Sequence, residues 1–181
     1  MEFWIFLLFS VFLIWVSRKS LLSPRSHGFY RFLAWEMITL LVLLNYRVWF
    51  EDPFNWHQIL SWVFLFGSIP FGVLGFRQLK QLGDQDANRG DHSLYQFEKT
   101  TQLVTNGIYR YIRHPLYASL LLLALGVFFK RITWPSITLV ALAVIFLTVT
   151  AKIEEKENLA YFGSEYVEYK AKTKMFIPFL Y

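Results

Sequence analysis

Long apolar runs separated by short polar breaks dominate the chain. Phe3 to Val16 is apolar and ends at Arg18 and Lys19, and a second run from Phe32 to Phe50 carries Glu36, Asn45 and Arg47. Ile59 to Phe76 is 18 residues without a charge, interrupted by Pro70 and by glycines at 67, 72 and 75. Pro115 to Phe129 and the 20 charge-free residues Ile132 to Ala151 follow, parted by Lys130 and Arg131. No strand-like alternation runs through them. Segments of this kind satisfy their backbone groups in lipid only as helices. The pattern predicts an all-α, polytopic membrane helical bundle of about five transmembrane helices. The first run has the length of a signal-peptide core, but its positive residues follow it and no small-residue cleavage site is visible, so a first membrane helix is expected.

The breaks divide one domain, 1–181, into three N-terminal spans (1–76), a polar loop (77–114), a helical hairpin (115–151) and a tail (152–181). Ser17 to Tyr30 reads as a loop, and Glu51 to Asn55 as a turn with Pro53 at the start of the next helix. The pattern around Pro70 and the glycines predicts a kink and close helix approach in the third span. Arg77 to Thr101 is the longest polar stretch, a length that points to disorder or function. From Lys152 onward a charged helix bearing aromatic residues is expected, ending before Ile177-Pro178 because proline cannot continue it. That tail helix is expected to complete a cofactor site.

Composition supports the membrane reading. Hydrophobic residues make up 55% of the chain and charged residues 17%, against about 25% charged in soluble domains. A net charge of +5 raises the question of nucleic acid, but the basic residues sit in short breaks where they set topology and meet anionic lipid. The absence of cysteine rules out disulfides and thiolate catalysis. Fifteen of the 18 Lys and Arg fall on one side of a five-span arrangement, leaving Arg47, Lys130 and Arg131 opposite. That bias predicts an N-terminus outside and a C-terminus in the cytoplasm, in a plasma membrane of bacterial inner-membrane type.

Three constellations carry candidate chemistry. Leu103 to Tyr117 places arginines, a histidine and tyrosines at the mouth of an apolar helix; Gly107 reads as a turn, and Pro115 fits a first helical turn. Arg113 and His114 therefore stand at a helix N-terminus, a place that favours a carboxylate or phosphate. Glu154 and Glu155 follow the 20-residue span and come near Arg113, His114 and Tyr117 if the last two spans form a hairpin. Tyr161 to Lys170 adds aromatics that either cap a pocket or lie in the interface. Each residue also has a plainer account. Arginines set topology, boundary tyrosines form a belt, the histidine is a hydrogen-bonded boundary residue, and the glutamates form a solvated helix face. Glu36 is a weak intramembrane candidate.

Taken together, Gly-Ile-Tyr-Arg-Tyr-Ile-Arg-His-Pro-Leu-Tyr, a hairpin, Glu-Glu, Tyr-Phe-Gly-Ser-Glu-Tyr-Val-Glu-Tyr and a terminal Ile-Pro resemble the isoprenylcysteine carboxyl methyltransferase and phospholipid methyltransferase superfamily. The resemblance covers about residues 100–181. It implies a membrane methyltransferase that uses S-adenosylmethionine without a Rossmann domain and methylates a hydrophobic small molecule or a lipidated substrate. By the same resemblance Leu103, Val104, Tyr109, His114, Pro115, Leu116, Tyr117 and Glu154 contact the cofactor, with His114, Glu155 and Arg113 in catalytic positions and no metal. One position departs. An arginine tied to the substrate carboxylate in the prenylcysteine enzymes falls here at Thr150; the expected acceptor is a lipid-like one, a prenylcysteine carboxylate or a related group as in the isoprenylcysteine carboxyl O-methyltransferases, with a phospholipid amine and a small thiol as alternatives. An NADPH-dependent sterol-type reductase, with a similar Arg-His-Pro-x-Tyr element, and a non-enzymatic membrane scaffold are the rival readings.

Overall fold

The computed structural model describes residues 2–84, 95 and 98–178, and the centre of the long polar loop lies outside them. Among the described residues there are six α-helices: α1 (Glu2–Leu21), α2 (His27–Asn45), α3 (Trp56–Leu82), α4 (Pro115–Phe128), α5 (Trp134–Phe162) and α6 (Ser164–Lys172). Short 3₁₀ turns at Tyr46–Val48 and Gly107–Arg110 join them. Proline opens α4 and sits at the start of α5, where its missing N–H breaks no helical bond. At α5 a capping box joins Thr133 to Ser136.

Among the described residues, four helices are long and apolar enough to cross a membrane: α1, α2, α3 and α5. This is an integral membrane bundle, and its outer faces show it. Trp4, Leu8, Phe12 and Trp15 of α1 and Val63, Phe66 and Ile69 of α3 are exposed, the arrangement lipid favours because tails are as apolar as the side chains.

The expected fourth span comes out shorter. α4 has 14 residues, about 21 Å at 1.5 Å per residue against a hydrocarbon core of about 30 Å. Its carbonyl end is closed by side chains of its neighbours. The Asn45 amide donates to Val127 O (3.0 Å), the Ser61 hydroxyl to Gly126 O (2.6 Å) and the Gln58 amide to Lys130 O (3.3 Å). His57 Nδ1 lies 3.0 Å from Phe129 O. Irregular backbone at membrane depth is tolerated where protein buries and satisfies it. Lys130, expected as a loop cation, is enclosed with them: its ammonium donates to Trp49 O and Gln58 Oε1 and lies 3.6 Å from the Trp62 ring centre.

α3 runs antiparallel to α4, and the small residues set the register. A Cβ added at Gly75 would meet Pro115, one at Gly72 would meet Ser119, and one at Gly126 would meet Leu65. Gly67, expected to share in this contact, faces open space instead, because it points away from the α4 seam. α2 packs along α5, and α1 rests on α2. Two apolar clusters result. One, around Ile38, Leu41, Ala124, Val127, Val140 and Ala143, fills the closed end. The other, around Ala34, Ile112, Tyr117, Leu147, Ala151 and Phe176, supports the mouth of α4.

The tail also differs from expectation. α5 does not stop at the last apolar residue but continues to Phe162, 29 residues or about 43 Å. A new helix begins only after Gly163, whose φ of +60° breaks the chain direction. The charged residues after Ala151 therefore extend a membrane helix, because nothing before Gly163 interrupts its hydrogen bonding.

Gly126→Ala should destabilise the protein by about 1–3 kcal/mol, since its new Cβ would lie 2.7 Å from Leu65 Cγ and 3.0 Å from a backbone nitrogen. Gly67→Ala should change stability by less than about 1 kcal/mol. Thermal unfolding in detergent reads both, and equal effects would contradict the α3–α4 seam.

Candidate functional site

The mouth of α4 owes its shape to the end of the chain. Residues 174 and 175 run alongside 111–114 as a short parallel bridge, in which Arg113 N–H donates to Lys174 O (2.8 Å), His114 N–H to Met175 O (3.2 Å) and Lys174 N–H to Tyr111 O (3.1 Å). Two amides expected to greet an anion are thereby taken. Leu116 and Tyr117, in the first turn of a helix opened by proline, where N–H groups have no intrahelical carbonyl to meet, line the cavity.

The bridge fixes His114. Its ring stacks on Tyr117, with centroids 5.5 Å apart and planes 16° from parallel, and lies 6.2 Å from Phe176. Nδ1 is 3.8 Å from Glu154 Oε1 and Nε2 is 3.6 Å from Glu155 Oε1, both beyond hydrogen-bond length. Nε2 is buried without a partner. A buried polar atom left unpaired costs free energy until a ligand or solvent meets it.

In front of this ring lies a cavity of about 660 Å³ of atom-free space, its mouth included. All eight residues expected to touch a cofactor line it: Leu103, Val104, Tyr109, His114, Pro115, Leu116, Tyr117 and Glu154. The hairpin of α4 and α5 brings Glu154 back to Tyr117, whose hydroxyl donates to Glu154 Oε2. Tyr109 donates to Gly75 O (3.3 Å) and its own carbonyl accepts from Tyr169 (2.8 Å), so the 3₁₀ turn is clamped between α3 and α6.

Of the three residues expected in catalytic positions, His114 and Arg113 line the cavity, whereas Glu155 lines a separate groove behind it. The Arg113 guanidinium is already engaged. Its Nε donates to Glu155 Oε1 (2.7 Å) and an Nη donates to the carbonyls of Thr173 and Lys170. The other Glu155 oxygen is 2.6 Å from the Lys170 ammonium. Both members of the Arg113–Glu155 pair are buried. Its geometry joins the α4 mouth, the α5 extension, α6 and the terminal segment.

Sequence reasoning missed several lining residues. Asn158 and Phe162 stand four and eight places after Glu154, on the same stripe of α5, a spacing legible once α5 is known to continue. Tyr166 and Tyr169 come from α6, and Glu98 and Thr100 from the far end of the polar loop. No local signal singles out Glu98. It is held by Arg31 of α2, whose guanidinium donates to both carboxylate oxygens at 2.8 Å and lies 4.0 Å from the Tyr95 ring centre. His27 similarly ties α2 to α5 through Glu157. Glu36, the intramembrane candidate, is not among the cavity residues; it accepts from the Ser10 hydroxyl at 2.7 Å.

The electrostatics follow from this packing. Burial pushes the phenols of Tyr109, Tyr166 and Tyr169 up, and the Glu154 carboxylate adds to the effect at Tyr109 and Tyr166. They stay protonated donors at neutral pH and do not serve as bases. The wall thus presents aromatic faces, two carboxylates, a histidine ring and the first turn of a helix. Such a surface takes a ligand carrying both a cationic centre and polar or anionic groups. Among the described residues no cluster of His, Asp and Glu is arranged to hold a metal.

Comparison with known proteins adds to this geometry. A family model described as phospholipid methyltransferase matches residues 63–165, more than half of the chain. A methanethiol S-methyltransferase of Crocosphaera subtropica is 32% identical over 78 residues, which is 42% of this chain and 29% of that protein. A protein-S-isoprenylcysteine O-methyltransferase of Saccharomyces cerevisiae is 31% identical over 97 residues, 49% of this chain and 40% of that protein. The matches thus span less than half of each curated relative's length. No solved structure matches.

Arg113→Gln should lower stability by about 2–4 kcal/mol, since it leaves a buried carboxylate short of its partner. Lys170→Gln, at a side chain 52% exposed, should cost about 1 kcal/mol or less. Chemical or thermal unfolding of the two variants separates these effects, and a larger loss at Lys170 would contradict the assignment of Arg113 as the central tie.

Proposed function

Because the chain belongs to the phospholipid methyltransferase family, we propose that it transfers the methyl group of S-adenosylmethionine to a lipid-like acceptor that reaches the site from the membrane. The observation that carries this reading is the convergence of Tyr109, His114, Tyr117 and Glu154, from separate parts of the chain, on one cavity. In this reading α4 completes a fifth crossing with help from its capping neighbours, and the site end of the bundle faces the cytoplasm, as the distribution of Lys and Arg favours.

The donor set fits S-adenosylmethionine. Leu103, Val104, Pro115 and Leu116 offer apolar surface, Glu154 a partner for ammonium or ribose hydroxyl groups, and the tyrosine faces an attractive surface for a sulfonium. The N-terminal turn of α4, with His114 at its cap, suits the carboxylate. The cofactor supplies a methyl group already activated for displacement. The chain's work is then alignment and exclusion of water, a contribution that reaches effective molarities of about 10⁵ M and above in well-oriented systems. Tyr117 holds the Glu154 carboxylate by its hydroxyl. The Arg113–Glu155 pair holds the His114 segment in register.

Thr150 bears on the acceptor class. It is fully buried, and its hydroxyl donates to Phe146 O at 2.7 Å, so this position offers no cation to an acceptor carboxylate. That observation favours an amine or thiol acceptor over a prenylcysteine carboxylate. An amine or thiol must lose a proton, and with the phenols held protonated, His114 or Glu154 is the group placed to take it.

Purified protein in lipid should bind methyl-labelled S-adenosylmethionine and pass label to an acceptor from a panel of prenylcysteine, phospholipid amine and hydrophobic thiol. His114→Ala and Glu154→Gln should each weaken cofactor binding about tenfold or more, the scale of a lost charge-assisted hydrogen bond. Unchanged affinity in both variants would sink the site. Absence of binding and of transfer in the parent protein would favour the scaffold, and consumption of NADPH the reductase.

A further inference from the structure

Behind the Glu155 wall lies a second groove, between the extension of α5 and the segment that follows α6. Arg113, Lys152, Lys156, Lys170 and Lys174 line it, against a single carboxylate, that of Glu155. Both Glu155 oxygens are taken, one by Arg113 and one by Lys170. Three exposed ammonium groups, those of Lys152, Lys156 and Lys174, thus share the groove without a carboxylate partner among the described residues.

Such an arrangement is unfavourable in an empty groove. Lys152 and Lys156 stand four places apart on one helix, where like charges repel, and Lys174 arrives beside them from the terminal segment. Fixed at its position by the bridge to residues 111–114, Lys174 is not free to move far away. An anionic group seated among the three ammonium groups relieves this repulsion.

The depth of the groove identifies the source of that anion. Lys152 is the first charged residue after the charge-free run Ile132 to Ala151, so it marks the level at which α5 leaves the hydrocarbon. Lys156 follows one turn further out. Lipid phosphates lie at this level, and basic residues just beyond a membrane helix attract them. Leu159 and Met175 give the groove an apolar side.

We propose that this groove binds the phosphate of an anionic membrane lipid headgroup, held by Lys152, Lys156 and Lys174. The groove is separate from the methyl-transfer cavity, although Arg113 lines both. A bound lipid therefore sits directly against the Arg113–Glu155 pair and anchors the α5 extension at the membrane surface.

The test uses the full chain in neutral detergent and reads binding alone, so it stands apart from any methylation assay. Short-chain phosphatidylglycerol is titrated in, with phosphatidylcholine, inorganic phosphate and glycerol phosphate as separate arms. Saturable phosphatidylglycerol binding is expected, weakened about tenfold or more in the triple variant K152Q/K156Q/K174Q. The corresponding all-arginine variant should retain it, which separates loss of charge from damage to the fold. R18Q/K19Q/R25Q, which removes as many charges elsewhere on the side assigned to the cytoplasm, should bind as the parent does. Equal weakening in that control would reduce the effect to general basicity and overturn the proposal. Unchanged affinity in the groove variant, or phosphatidylcholine bound equally well, would overturn it too. Displacement of the lipid by inorganic or glycerol phosphate at matching concentration would assign the groove to a soluble phosphate and overturn the lipid source.

Discussion

The return of the chain's end to the mouth of α4 is the constraint on which the site depends. Three backbone hydrogen bonds pair residues 111–114 with 174–175, and Arg113 reinforces them by reaching Glu155 on α5 and two carbonyls of the tail. That knot works with the Tyr169 bond to Tyr109 O and the Lys170–Glu155 pair to hold α6 over the cavity, where Tyr166 and Tyr169 join the wall. Sequence-distant residues become neighbours because one guanidinium, with its planar set of donors, can satisfy several acceptors at once.

The opposite end of the bundle solves a different problem with the same means. α4 is too short to carry its carbonyls beyond the apolar layer, so Asn45, Ser61, Gln58 and His57 meet them from neighbouring helices. These contacts fix the depth of α4, and with it the level of His114 and Tyr117 at its other end. Packing along the Gly72–Ser119 and Gly75–Pro115 seam then sets how near α3 comes. Position at the site is therefore determined by polar closure at one end and small residues along the length.

Much of this was legible in the sequence, for definable reasons. Apolar runs give helices because lipid permits little else, and Pro115 marked the start of α4. The eight residues expected to contact a cofactor are named through a resemblance, and the structure brings them to one cavity. Several features were not legible. The end of α5 was misplaced because hydropathy reports where lipid stops and not where a helix stops. Glu98 was invisible because its position depends on Arg31, 67 places earlier in the chain. The plain arginine at 113 could not be distinguished from a topology residue until its partners were seen. Glu155 is expected in a catalytic position through the resemblance; consecutive residues on a helix point about 100° apart, and it lines the other groove.

The central claim is that residues 103–117 and the Glu154 stretch of α5 form two walls of one S-adenosylmethionine site. The most direct measurement is ultraviolet cross-linking of labelled S-adenosylmethionine to the purified protein in lipid, followed by mapping of the label to peptides. Label divided between the peptide carrying Tyr109 and Tyr117 and that carrying Glu154 to Tyr169, and competed away by unlabelled cofactor, is the predicted result. Competable label confined to α1 or to the closed end of the bundle around Lys130, or no competable label at all, would contradict it.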